Sequence, residues 1–449
     1  MNASVTVSVE IDGLTLDAGQ SDMVVGAGGR VTSTFRHEAI YLADTAAYQL
    51  DPVLHLDLAP HAVGGLPGAF RDTTPDHWGR RLISRRLVRA AHDDGAPAPQ
   101  ITEIDYLLGV SDYTRQGAIR FRRHGDAAFV ARDGEVPHLV ELSTLLAAAD
   151  AVQENEDESA IRILLDAGTG SLGGARPKAS VRDGDRLSMA KFPSAIDEWD
   201  VIAWEAVTLD LAALAGIDIP KYRLLSIAGR SVLLLARFDR TPDGERVGYL
   251  SASSLIEAEE SVGGDYAFIG EALAEQDSAD LPALLRELWR RVAFSVAVHN
   301  TDDHVKNHGF LRSRQGWHLS PAFDINPNPD AGAARATSIS GADLPAHEAH
   351  GLRDLADDFG ISRSESIAIL AQVVAAVSGW REVARLRGLN DQAVDRMAAA
   401  FDPGRDRLIQ MLDVSPGGIG PPQRQQRRPK GSGGGRFTSN RANHDPYYC

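Results

Sequence analysis

The sequence holds one cysteine, Cys449, at its last position, so no intrachain disulfide can form and a reducing compartment fits. No uncharged apolar run approaches the roughly 20 residues of a membrane span. Residues 1–13 alternate polar and apolar side chains, where a signal peptide would carry a basic flank and an apolar centre. Together these absences lead us to expect a cytoplasmic protein. Positive charge is also scarce: 62 acids against 46 Lys and Arg give a net charge of −16, which argues against this chain by itself gripping a phosphate backbone.

What is present suffices for a large core, because 43% of the 449 residues are hydrophobic, enough for two or three lobes. The basic residues gather at the end. Residues 419–449 hold Arg424, Arg427, Arg428, Lys430, Arg436 and Arg441 against the single acid Asp445, a net +5. That stretch is rich in Pro, Gln, Gly and Ser and cannot supply a core, so it is expected to be a disordered, solubilising tail.

The most informative stretch is Asn300-Thr301-Asp302-Asp303-His304-Val305-Lys306-Asn307. Asp302 and Asn307 have four residues between them, the spacing with which a protein kinase places a proton-accepting Asp and a magnesium-holding Asn. A hairpin over residues 309–319 should follow and deliver a second acid, Asp324, where such a site needs its main metal carboxylate. Transfer of a phosphoryl group asks little covalent chemistry of the protein and much positioning and charge neutralisation, and magnesium prefers oxygen ligands. Loop aspartates chosen for turns would explain any one of these residues, but not their joint spacing.

Upstream elements fall in a matching order. Residues 168–178 are glycine-dense and end on Arg176, Pro177 and Lys178, and glycines let backbone N–H groups approach an anion closely. Neither the Walker spacing nor the six-residue glycine pattern of ordinary kinases is present. Strands at 179–181 and 187–192 bring Lys191 to a strand end, where a kinase keeps its phosphate lysine. A helix over 199–215 carries Glu205 among apolar residues. A buried acid needs a partner, and Lys191 is the expected one; an exposed Glu205 is the alternative. Strands at 222–227 and 232–235 then run into Ala236, Arg237 and Phe238 at the hinge position. A long helix over 281–299 leads into the Asp302 segment, and residues 361–380 and 392–412 read as closing helices.

Nearer the start, Val5, Val7, Val9 and Ile11 alternate with polar residues and predict a half-buried strand, with strand-like pieces at 31–35 and 39–42. A helix is expected from Thr74, with Pro75 at its first position. Its Arg80, Arg81, Arg85, Arg86 and Arg89 read as a solvated cationic face, or alternatively as a docking surface for a partner or DNA. A short helix at 103–110 and a strand at 117–123 should close this first part.

Taken together, Thr74-Pro75-Asp76-His77-Trp78-Gly79-Arg80-Arg81-Leu82, residues 171–178, Ala236-Arg237-Phe238-Asp239-Arg240, Asn300 to Asn307 and residues 319–324 resemble the HipA family of bacterial serine/threonine kinase toxins. The resemblance runs from the first domain to about residue 412. It implies an α+β, bilobal protein-kinase-like fold with an added small N-terminal α/β domain and a mostly helical C-terminal lobe. The expected divisions are 1–135, 136–240 for the small lobe, 241–415 for the large lobe and 416–449 for the tail.

It further implies an ATP- and Mg2+-dependent kinase in a type II toxin–antitoxin pair. The partner would be a HipB-like helix-turn-helix antitoxin, through which DNA is met only indirectly, and the protein substrate a translation component such as an aminoacyl-tRNA synthetase. By the same resemblance Asp302 is the proton acceptor, and Asn307 and Asp324 hold the metal. Gly173, Gly174, Ala175, Arg176, Pro177, Lys178 and Lys191 contact the nucleotide phosphates. Ala236, Arg237, Phe238, His304, Val305, Lys306, Asn307, Phe323 and Asp324 complete the ATP site, and Glu205 supports it by an ion pair. Ser171 matches the serine that such kinases autophosphorylate, and a phosphate there adds about two negative charges where nucleotide phosphates must sit. One departure is Ala236, where some members carry an acid. Two other readings stay open: a metal-dependent hydrolase built on His299, Asp302, Asp303, His304 and His308, and an ATP-sensing scaffold acting through a DNA-binding partner.

Overall fold

Val5, Val7 and Val9 are fully buried on one face of strand β1 (Ala3–Ile11), as their alternation requires. Asp12 and Gly13, both at positive φ, turn the chain into β2 (Leu14–Val25). With β3 (Val31–His37), β4 (His61–Gly64) and β5 (Ile119–Arg123) they make an antiparallel five-stranded sheet of order β4-β3-β2-β1-β5. The structure is a computed structural model and describes residues 2–413, apart from 131–135, 137, 155–157, 168–175, 259–263 and 279.

Two expectations in this first part need correction. Residues 39–42 are a helical turn, α1 (Ala39–Leu42), and not a strand. Four residues are too few for periodicity to separate the two, and here tertiary contacts decide. The buried Tyr41 hydroxyl donates to the Tyr48 carbonyl at 2.7 Å and accepts its N–H at 3.0 Å. After α2 (Gly68–Arg71), Thr74 and Pro75 lie in a turn, with the Thr74 N–H on the Arg71 carbonyl at 2.8 Å. Helix α3 (His77–Asp93) therefore starts three residues later than expected, with Asp76 as its N-cap.

Nor are the arginines of α3 simply solvated. Arg80 stacks 4.7 Å from the Tyr106 ring in α4 (Glu103–Gly109), Arg81 donates to the Val152 carbonyl at 3.3 Å, and Arg89 pairs with Asp93 and Glu158.

The next part begins with α5 (Leu142–Glu154) and α6 (Glu158–Asp166). Then β6 (Lys178–Asp183) and β7 (Arg186–Lys191) form the expected hairpin, turning at Gly184, whose φ is +62°. Helix α7 (Val201–Leu214) is apolar nearly all round and buried along its first two turns, as a core helix must be. Strands β8 (Tyr222–Ile227) and β9 (Arg230–Ala236) complete an antiparallel sheet of order β6-β7-β9-β8.

The remainder is mostly helical. Strand β10 (Tyr249–Ser251), turn α8 (Ala252–Leu255), the pair β11 (Gly264–Asp265) with β14 (Thr337–Ser338), and α9 (Tyr266–Ala274) surround the long α10 (Leu281–Ala297). The hairpin β12 (Gly309–Ser313) and β13 (Gly316–Leu319) follows as expected. Helices α11 (Glu348–Asp358), α12 (Arg363–Ser378), α13 (Trp380–Leu386) and α14 (Asp391–Asp413) close the fold. Gly404 of α14 lies so near α10 that a Cβ would collide with the Val296 carbonyl. Among the described residues no single helix is long and apolar enough to cross a membrane.

Residues 1–412 form one compact unit, and its cores ignore the expected division at residue 135. Trp78, Leu82 and Ile83 of α3 pack with Leu145, Val181 and Ala190, while Val7 and Phe121 belong to the cluster that also holds Leu250 and Phe310. Trp380 is fully buried, stacked on Phe401 at 4.5 Å between ring centroids and next to Trp204 at 6.1 Å. Trp380→Ala should lower unfolding free energy by about 3–5 kcal/mol in a urea titration. A loss below about 1 kcal/mol would mean that this stack does not hold the closing helices to α7.

Candidate active site

Lys191 ends β7 directly opposite Lys178 on β6, so the hairpin register sets two buried ammonium groups side by side. Burial alone would drive both toward neutrality. The Lys191 Nζ donates to Glu205 Oε1 at 2.6 Å and to Asp324 Oδ1 at 2.7 Å. Although burial opposes its charge, these two carboxylates hold its pKa above the usual lysine value. Lys178 receives less help: burial first, and then the Lys191 charge, pull it down to about 8. Asp324 is ionised against its own burial by Lys191 and then Lys178, and is held down to about 2.

Helix α7 reaches the site twice from one face. Glu205 binds Lys191, and one turn on, the Thr208 hydroxyl donates to the Ile325 carbonyl at 2.5 Å, next to Asp324. Asp324 has φ of +58° and His299 +53°, a left-handed conformation uncommon for side chains other than glycine. Such backbone persists only where surrounding contacts over-determine it, and it concentrates at functional sites.

The Asp302 segment has those contacts. The Asn300 carbonyl accepts from the Ser295 hydroxyl at 3.0 Å and from Arg335 at 3.1 Å, and Arg335, wholly buried, pairs with Glu348 at 2.7 Å. Thr301 is held through both its hydroxyl and its carbonyl, by Asn328 and the Ala336 N–H, each at 2.8 Å. Asp303 is buried between His308 Nε2 at 3.1 Å and the Tyr266 hydroxyl at 2.5 Å. Burial opposes its charge, yet His308 outweighs it and keeps Asp303 at about 2.

On this support Asp302 stays exposed, with His304 Nε2 at 2.7 Å from its carboxylate. That hydrogen bond raises the His304 pKa. Asn307 Nδ2 donates to the Asp302 carbonyl at 3.3 Å. Asn307 and Asp324 line one cleft together with Lys178, Lys191 and Lys306. Its apolar wall is Met189, Leu235, Phe238 and Phe323, with the last two rings 5.4 Å apart.

Other expected site residues are placed differently. Ser171, Gly173, Gly174 and Ala175 lie outside the described residues. Arg176 pairs with Asp197, and the Pro177 carbonyl accepts the Phe192 N–H at 2.9 Å, closing the hairpin. Val305 packs on the core. None of these three, nor His304, lines the cleft. At the hinge the N–H groups of Ala236 and Arg237 are already given to the carbonyls of Lys221, at 2.8 Å, and Leu187, at 3.2 Å. The Arg237 guanidinium turns to Asp239 and the Thr114 carbonyl. A ring contacting the hinge backbone must therefore use groups other than those two amides.

The histidines do not gather. His299 meets the Asp330 carbonyl at 2.8 Å, His304 faces Asp302, and His308 faces Asp303. No group of three or more His, Cys, Asp or Glu among the described residues is arranged to hold a metal ion, so the five-donor hydrolase reading loses its geometric basis. The first part of the chain also supplies a wall of the cleft through Arg71, Asp72, Thr74, Asp76, Arg80 and Gln116. Asp72 accepts the N–H and hydroxyl of Ser251, each at 2.7 Å. Sequence spacing gave no sign of this wall; the only hint was the Thr74–Arg80 motif itself.

The fold is mixed α+β with a helical C-terminal part and resembles that of a solved HipA. The Shewanella oneidensis MR-1 HipA, solved in a toxin–antitoxin complex with HipB and operator DNA, superposes with a TM-score of 0.63 at 14% identity, over 91% of this chain and 100% of that one. The Helicobacter pylori proinflammatory kinase CtkA matches with a TM-score of 0.34 at 13% identity, over 52% of this chain and 94% of that one. Comparison with curated proteins returns no match. Residues 170–380 match the family model of the HipA-like C-terminal domain.

Lys178 allows a pH test. Its folded pKa of about 8 lies below the ordinary 10.5, so between those values the unfolded chain binds more protons, and this group makes stability rise with pH there. Anion affinity should move the other way. Binding of a nucleoside triphosphate, followed by calorimetry, is expected to weaken as pH rises above about 8, and Lys178→Arg, which stays charged, should flatten that slope. An unchanged slope in the variant would exclude Lys178 as its source.

Proposed function

We propose that this chain is an ATP- and Mg2+-dependent serine/threonine protein kinase and the toxin of a type II toxin–antitoxin pair. The observation that carries this reading is Lys191 bridging Glu205 and Asp324 in a cleft that also holds Asn307, whose amide bonds the Asp302 backbone. Lys178 and Lys191 give the cleft the positive charge that triphosphate oxygens need. Met189, Leu235, Phe238 and Phe323 offer an apolar slot for the adenine ring. Asp302 is exposed to an incoming protein and accepts the proton of its serine or threonine hydroxyl.

Asp324, ionised at neutral pH, and Asn307 line the same cleft, and a carboxylate with an amide oxygen suits magnesium. When bound there, the ion neutralises charge on the phosphate oxygens. As Lys191 now rests on Asp324, nucleotide entry must share that ammonium between the carboxylate and the phosphates. Autophosphorylation at Ser171 would add about two negative charges to the chain and oppose binding of the nucleotide phosphates.

The matched Shewanella HipA was solved with HipB and operator DNA, which supports a HipB-like helix-turn-helix antitoxin as the partner of this chain. DNA would then be met through that antitoxin, in the cytoplasm, and the substrate would be a translation component such as an aminoacyl-tRNA synthetase. Incubated with labelled ATP and Mg2+, the purified chain should label itself on Ser171. Asp302→Ala should lower the rate by about 10²–10⁴-fold, the span of a lost general base. Intrinsic labelling that persists in Asp302→Ala, or ATP binding with no transfer to any protein, would overturn the kinase reading.

A further inference from the structure

Residues 112–117 lie between α4 and β5 and have no ladder of their own, yet their carbonyls are taken up by three arginines from the stretch that follows β9. Arg237 Nη1 donates to the Thr114 carbonyl at 3.1 Å, and Arg240 Nη2 to the Tyr113 and Arg115 carbonyls at 3.2 and 2.8 Å. Arg246 Nη1 donates to the Arg115 and Gly117 carbonyls, each at 3.3 Å. The Gly117 N–H is given to Asp239 at 2.7 Å. The backbone is thus pinned on both sides of Gln116, and Gln116 lines the cleft.

Tyr249 connects Gln116 to the apolar slot. Gly117 has φ of +73°, and a Cβ there would stand 3.1 Å from that of Tyr249, so the turn packs directly on the tyrosine. Burial and then the Asp72 charge push the Tyr249 hydroxyl well above its usual pKa, and the Gln116 side chain, hydrogen-bonded to that hydroxyl, opposes the push. The Tyr249 ring lies 6.3 Å from that of Phe238, which in turn is 5.4 Å from Phe323. A carboxamide is therefore carried beside the two rings of the slot. It has two acceptor lone pairs and two N–H donors, and the tyrosine engages one of these four.

A base entering the slot brings polar edge groups that lose their water, and any left without a partner are costly. The Ala236 and Arg237 amides are already given to Lys221 and Leu187, and the Ser251 hydroxyl to Asp72. Resting on the nucleotide reading of the cleft, we propose that Gln116 is a specificity residue whose carboxamide reads the purine. Its oxygen accepts from the 6-amino group of adenine and its N–H donates to the adjacent ring nitrogen, the complementarity by which a glutamine pairs with adenine elsewhere. The first part of the chain then takes part in choosing the nucleotide, and the arginines around residues 112–117 have a physical reason: they fix the backbone from which that choice is made.

The test is calorimetric, on the full chain with Mg2+, and compares ATP with the triphosphate of purine riboside, which has hydrogen in place of the 6-amino group. The wild-type chain should bind ATP about tenfold more tightly, the scale of one buried acceptor left unpaired. Gln116→Leu and Gln116→Met, apolar side chains of similar size, should weaken ATP by about the same factor and bind the two nucleotides within about twofold of each other, as a coupled pair of groups requires. Inorganic tripolyphosphate, which has no base, should bind all three chains alike.

A preference for ATP that persists in either variant, or a loss of tripolyphosphate binding equal to the loss of ATP, overturns the proposal. If the wild-type chain binds both nucleotides equally, Gln116 is not the reader and the kinase reading stands. A Gln116-dependent preference for ATP in a chain that transfers no phosphate upholds Gln116 and removes the kinase reading instead. A wild-type chain that binds neither nucleotide overturns both.

Discussion

The site depends on one shared cation. Lys191 is buried with a carboxylate on either side, Glu205 from a core helix and Asp324 from the segment after the hairpin. An unpaired ammonium there would be costly, and so would two unpaired acids. Lys191 and Glu205 tolerate burial only as a pair, and Asp324, with its side chain 35% exposed at the cleft, shares the same ammonium, so β7, α7 and the Asp324 turn converge there. Buried ion pairs of this kind add little net stability but penalise any arrangement that separates them. That asymmetry favours a cleft of defined shape over one of maximal stability.

Around it the protein uses polar groups as scaffold. The Arg335–Glu348 pair, the Asp303 carboxylate between His308 and Tyr266, and the double hold on Thr301 fix a stretch that has no regular secondary structure before its one 3-10 turn. A loop cannot be stiffened by a hydrogen-bond ladder of its own, so its carbonyls and carboxylates are satisfied by neighbouring elements. Asp302 stays outside this set, accessible to a partner, while its neighbour Asp303 is consumed by it. The two adjacent aspartates differ in exposure, 71% for the Asp302 side chain and 8% for that of Asp303.

The first part of the chain is not an appendage. Asp239, at the end of the hinge, accepts from the Gly117 N–H at 2.7 Å and from the guanidinium groups of Arg237 and Arg240. Asp72 anchors Ser251, and Asp76 reaches Lys306. The segments around Asp239, Ser251 and Lys306 are thus each tied to the same region. Its apolar residues belong to the same clusters as those of the later parts of the chain.

Much of this was legible beforehand wherever a local rule was strong. The alternation in β1, the β6–β7 hairpin with its polar turn, the core helix α7 with a lone acid and the Asp302-to-Asn307 spacing each carry their own signal, and the partnership of Lys191 with Glu205 follows from the cost of a buried charge. What was misjudged depends on contacts made outside each element's own periodic pattern. Residues 39–42 form a turn because Tyr48 completes it, α3 starts at His77 because Thr74 is bonded backward, and its arginines find acids, carbonyls and a ring on other elements.

The sequence by itself determined which chemical groups this protein has and in what order they come, since spacing and periodicity are properties of the chain alone. Only the tertiary structure decided which carboxylate meets which cation, that the histidines near Asp302 diverge, and that Asp76 stands at the cleft. The pairings of Lys191 with Asp324 and of Lys306 with Asp76 join residues more than a hundred positions apart, and no local pattern encodes the distance between them.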